Sequence, residues 1–114
     1  MKVNRELLNK LTDGLAEIPE TLRITGSYYA EDSVTENRRK IIGGACAMGH
    51  MVEIGSGKRD CGYELKLLND LIKGDWDDRA AFKAWVFRQN DVFEHTLAHI
   101  AEDMESYFKA TEDA

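Results

Sequence analysis

A chain of 114 residues with 43% apolar residues can bury one core and is too short to divide into several. Charged residues at 32%, a single proline and the lack of any low-complexity run exclude a disordered chain. The net charge of −6 falls in the last third, where residues 75–114 carry four basic and ten acidic groups, against seven of each in residues 1–40 and four of each in residues 41–74; an acidic domain without a basic stripe is not expected to grip a phosphate backbone directly.

Val3, Leu7, Leu8, Leu11, Leu15 and Ile18 recur at the spacing of one helical stripe, with Asn4 as its cap and Pro19 just beyond its end. Thr21 to Thr25 then alternates polar and apolar residues ahead of Gly26 and Tyr28-Tyr29-Ala30, which predicts a short extended segment or hairpin. Gly43 to Val52 is the least polar and most small-residue-rich stretch, and the fold is expected to close around it. Within it Ile42, Ala45, Met48, Gly49 and Val52 share a helical face, and Gly44, Ala45, Ala47 and Gly49 let a neighbouring backbone approach closely.

Gly55 to Arg59 reads as a turn rather than a phosphate loop, because the full glycine spacing and the following Ser or Thr are missing. Asp60 can cap a helix bearing Tyr63, Leu67, Leu68 and Leu71 that ends at Lys73-Gly74. Asp75, Asp77 and Asp78 open the next helix at its positive end, and Asn90-Asp91 is expected to break it and cap the last one. In that last helix Phe93, Leu97, Ile100, Met104, Tyr107 and Phe108 form a narrow stripe suited to a core face or a helix-to-helix seam. The expected fold is therefore mainly α, with α+β as the alternative: one domain over residues 1–110 of four or five helices, with at most a small β-hairpin near residues 21–30. Residues 111–114 are expected to be a frayed acidic tail. No stretch is long and apolar enough to span a membrane and the N-terminus lacks the apolar core of a signal peptide, so the expected location is the cytoplasm, where Cys46 and Cys61 should stay reduced.

Gly26-x-Tyr28-x-Ala30, Cys46-Ala47-Met48-Gly49-His50 and Asn90-Asp91 ahead of an amphipathic helix occur in an order that resembles small, functionally uncharacterised bacterial and phage proteins. The similarity runs from about residue 22 to residue 108. It implies a phage or mobile-element setting rather than a chemistry.

Candidate constellations are few. Cys46 with His50 one turn later could make a nucleophile and base, and with Cys61, His95 and His99 a zinc set, but Cys61 lacks a neighbouring ligand. Counting about 100° per residue along the last helix puts His95 opposite the apolar stripe and His99 about 130° from it, so both should face solvent, where the pair could pick up metal incidentally. The simpler reading of Cys46 is a buried thiol packing as a small apolar side chain, and of His50 a helix-end residue bonded to a backbone carbonyl. No catalytic residue, resident metal or cofactor is expected. The expected binding surface is acidic, built from Asp75, Asp77, Asp78, Glu94, Glu102, Asp103 and Glu105, and suited to a basic partner. The expected function is that of a small accessory protein acting by protein binding, with no membrane or direct nucleic-acid partner. In the phage-like setting the partner would be a basic host protein or complex, and the action inhibition of host defence or nucleic-acid processing. The alternatives are a metal-binding protein or hydrolase using Cys46, His50 and Cys61, and a structural homodimer through the last helix.

Overall fold

In the computed structural model the described residues form five α-helices around one core: α1 (Arg5–Glu17), α2 (Ala47–Ser56), α3 (Glu64–Leu71), α4 (Trp76–Phe87) and α5 (Leu97–Thr111). Residues 1–34, 36–38, 40–41 and 43–112 are described, with only the backbone of Lys40 and Ile41. α1 packs against α2 and α5, and α2 also meets α3 and α4. Leu8, Leu11 and Leu15 of α1 face Met48, Met51 and Val52 of α2 and Leu97, Ile100, Met104 and Phe108 of α5, all of them removed from solvent. Each such side chain contributes about 1.5–3 kcal/mol by its burial. Among the described residues no helix is long and apolar enough to cross a membrane.

The first helix starts and stops as its sequence suggests, with Asn4 accepting from the Leu7 N–H and Ile18 closing it. Ahead of it β1 (Lys2–Val3) pairs antiparallel with β4 (Ile72–Lys73). At the other terminus Thr111 closes α5, and the Glu112 carboxylate accepts from the Val3 N–H and pairs with Arg5. Of the tail expected to fray, residues 113 and 114 lie outside the described residues.

The central stretch is the heart of the fold: every residue from Gly44 to Val52 is buried. It is not helical throughout. Residues 44–46 run extended between residues 22–24 and 28–30, with hydrogen bonds to Leu22, Ile24, Tyr28 and Ala30, and the helix begins only at Ala47. The extended segments predicted near residues 21–30 therefore pair with residues 44–46 instead of with each other. The hairpin lies further on, between β2 (Ser33–Val34) and β3 (Lys40–Ile41). Ile42, expected on the same helical face, lies outside the described residues.

Glycine makes this threading sterically possible. A Cβ on Gly44 would sit 2.5 Å from the Leu22 carbonyl oxygen, and one on Gly49 would overlap the Tyr28 carbonyl oxygen. Arg59 then pins the crossing: its Nη2 donates to the carbonyls of Gly43 (2.6 Å), Gly44 (2.8 Å) and Ala30 (3.1 Å), and the guanidinium lies 4.9 Å from the Tyr29 ring centroid.

The second departure from the sequence reading is at the end of α4. Asn90-Asp91 does not break the helix; the chain widens into a π-helical turn, Arg88–Val92, and α5 starts later with Thr96 as its cap. The wider turn brings two successive polar residues, Gln89 and Asn90, to the buried side. Asn90 is fully buried and stitches three segments together. Its Oδ1 accepts from the Ala47 N–H (3.1 Å), and its Nδ2 donates to the Ile24 carbonyl (2.9 Å) and to Asp91 Oδ1 (2.7 Å).

Candidate functional site

The seven carboxylates expected to form one acidic surface divide by their engagement within the chain. Asp75 caps α4 and Asp78 answers it in a reciprocal capping box, so these two serve the helix start. Glu105 lies 3.6 Å from Arg5 on the α1 side of α5, and Asp103 lies 3.0 Å from His99 on the same helix. The Asp77, Glu94 and Glu102 carboxylates are exposed and have no hydrogen-bond or ion-pair partner among the described residues. Asp77 follows Trp76, 55% exposed at the start of α4, and Glu94 follows Val92 (70%) and Phe93 (53%) beyond the π turn. Phe93, expected in the apolar stripe of the last helix, is thus an exposed ring before that helix begins. The rest of the stripe, from Leu97 to Phe108, lies in the chain's own core apart from Tyr107, which is half-buried between α5 and α4.

Backbone geometry singles out the same segment. Glu94 has φ of 50°, a left-handed conformation that an L side chain adopts at a cost of roughly 1 kcal/mol. Arg23 holds it there, donating to the carbonyls of Asn90 and Glu94, while Glu20 accepts from the Leu97 N–H at the start of α5. The left-handed residue turns the chain so that His95 stacks between Phe93 (5.7 Å between centroids) and His99 (4.2 Å, 13° between planes). His95 therefore precedes the helix, and the helical count that set it opposite the core does not apply to it. Ring nitrogens of His95 and His99 and a carboxylate oxygen of Asp103 lie within 4.8 Å of one another, which no other three His, Cys, Asp or Glu side chains of the described residues achieve. His95 Nδ1 is buried without a hydrogen-bond partner, a condition that costs about 1–3 kcal/mol. Asp103 also borders a shallow groove of about 260 Å³ formed with Trp85, Gln89, Ser106 and Tyr107.

Cys46 and His50 belong to the framework. The Cys46 Sγ caps α2, accepting from the Gly49 N–H at 3.3 Å, and burial pushes the thiol pKa up, opposite to what an activated nucleophile needs. His50 donates from Nε2 to the Leu22 carbonyl (2.8 Å), as expected of a histidine bonded to the backbone, although it sits in the first turn of α2. Burial lowers its pKa. Cys61 is an exposed free thiol in the turn before α3, and the three do not gather as a donor set among the described residues.

One polar constellation escaped the sequence reading. Glu64, 8% exposed, accepts from the Tyr28 hydroxyl and pairs with Lys83 at 2.6 Å, tying the loop before α2 to α3 and α4. Burial first, then the Glu64 hydrogen bond and charge, drives the Tyr28 pKa well above that of a free phenol. The only hint in the sequence was a glutamate on the apolar side of its helix, one turn before Leu67 and Leu68.

No protein-family model, curated protein or solved structure matches this chain.

Proposed function

We propose that the protein acts by binding a basic protein partner through the outer surface of α4, the π turn and α5. The observation that carries this reading is the set of Asp77, Glu94 and Glu102, exposed and without partners among the described residues, beside the exposed rings of Trp76 and Phe93. Aromatic residues supply contact area at interfaces, and unengaged carboxylates supply steering and selection for positive charge. Residues 75–114 hold the whole net charge, so the attraction is directional across the molecule. In the phage or mobile-element setting that the sequence resemblance implies, the partner is a host protein, and masking its basic surface would inhibit a defence or nucleic-acid-processing complex.

The test is co-purification at low and high salt of wild type beside a variant carrying Asp77→Lys, Glu94→Lys and Glu102→Lys. Asp75 and Asp78 stay in place, since reversing them would remove the α4 cap and cost about 1–2 kcal/mol. Expected is one basic protein retained by wild type at low salt, released by salt and absent from the variant. A companion retained equally by both overturns the proposal.

A further inference from the structure

We propose that His95, His99 and Asp103 form a binding site for one divalent transition-metal ion of zinc-like preference. The site is separate from the Cys46, His50 and Cys61 set, and the inference does not rest on the partner-binding reading. Two imidazoles and a carboxylate are ligands that zinc and its neighbours accept together. Spacing alone would be weak evidence, since a histidine four residues before an aspartate on a helix is an ordinary surface pair. Three observations go further.

First, the third donor comes from outside the helix. His95 is fixed by its own N–H to the Gln89 carbonyl (2.9 Å) and by the left-handed turn at Glu94, which sets its ring 4.2 Å from that of His99. Second, the separations are close to what a metal requires. His99 Nε2 and Asp103 Oδ2 are 3.0 Å apart, near the roughly 3.3 Å edge of a tetrahedron with arms of about 2.0 Å, and all three donor atoms lie within 4.8 Å of one another. Third, His95 Nδ1 is buried and has no hydrogen-bond partner. An unsatisfied buried nitrogen on a ring that belongs to this cluster is what a stack and a surface ion pair do not account for. The Glu94 and Glu102 carboxylates stand outside the cluster. Three protein ligands leave a coordination position to water or to an outside donor, and Asp103 links the cluster to the groove against Trp85 and Tyr107.

The test is a calorimetric titration of the full-length, tag-free chain with Zn²⁺ after dialysis against a chelator, repeated with Co²⁺ and read by visible absorption. Expected is one equivalent of Zn²⁺, bound at least tenfold more weakly by His95→Ala and by Asp103→Asn, and unchanged in Glu102→Gln and Cys61→Ser. The Co²⁺ spectrum should show ligand-field bands of a four- or five-coordinate site with no thiolate charge-transfer band. Circular dichroism checks that each variant folds; should His95→Ala fail, Asp103→Asn decides. Absence of saturable binding, binding that survives Asp103→Asn within about twofold, or binding lost with Cys61→Ser overturns the proposal.

Discussion

The segment from Arg88 to Asp103 contributes polar residues to two regions that treat them in opposite ways. On its inner side Asn90, with Arg59, His50 and Glu64 from elsewhere in the chain, holds the loop before α2 by hydrogen bonds to its backbone groups or to the Tyr28 side chain. On its outer side the carboxylates of Glu94 and Glu102, with that of Asp77 from the start of α4, have no partner among the described residues. The inner residues compensate for a topology in which an extended segment, too short to form a sheet, crosses the core between two others. Buried backbone groups there need partners, and side chains supply them. Apart from the place of Asp77 at the positive end of α4, the outer carboxylates meet no hydrogen-bond donor or counter-charge of the described residues, which leaves them free for an outside partner.

Replacing an inner residue should therefore cost stability, and replacing an outer one should not. The largest loss is expected for Asn90→Ala, which strands the Ala47 N–H and the Ile24 carbonyl in the core, about 3–4 kcal/mol by urea denaturation. Gly49→Ala should follow at about 2–3 kcal/mol. The sign is diagnostic, because alanine normally gains about 1 kcal/mol over glycine in a helix and here its methyl would strike the Tyr28 carbonyl. Glu64→Ala should cost about 2 kcal/mol by leaving the half-buried Tyr28 hydroxyl without its acceptor.

Smaller effects should appear with pH, again from the inner region. Burial holds the His50 pKa below its ordinary value, so its contribution is complete above about pH 6.5 and declines as pH falls below that. Burial raises the phenols of Tyr28 and Tyr29, the latter to about 12, so their contribution is complete below about pH 10 and declines as pH rises toward the folded values. Denaturation midpoints measured from pH 4 to 12 should fall on both flanks. His50→Gln should flatten the acid flank and Tyr29→Phe the alkaline one; flanks unchanged in both variants would remove these residues as the cause.

Much of the helical frame was legible because it rests on periodicity and capping. The Leu8, Leu11, Leu15 stripe, the Asn4 cap and the Asp75 cap all follow from local rules that the tertiary fold leaves intact. The buried, glycine-rich centre was legible as well, since small residues have a use wherever backbones cross. What could not be read was where helix gives way to other backbone. Gly44 to Cys46 fits a helical pattern, yet its backbone is claimed by residues more than a dozen positions away, and Asn90-Asp91 reads as a break although it lies in a π turn whose Asn90 side chain reaches Ala47 and Ile24. That turn moved the start of α5 to Leu97 and took His95 off the helix, where its ring stacks on His99 and joins Asp103 in one cluster. Glu64 was missed because a buried carboxylate is identified by its partners, Tyr28 and Lys83, which come from distant segments.

The division between the two regions is tested most directly by the urea denaturation midpoint of the triple variant Asp77→Lys, Glu94→Lys, Glu102→Lys, set against wild type. Three charge reversals take the formal net charge from −6 to zero. With only the favourable place of Asp77 in the first turn of α4 to lose, about 0.3–1 kcal/mol, and self-repulsion relieved, stability should stay within about 1 kcal/mol of wild type. A loss approaching the 3–4 kcal/mol expected of Asn90→Ala would mean that these carboxylates hold the fold, and the outer surface could no longer be assigned to binding.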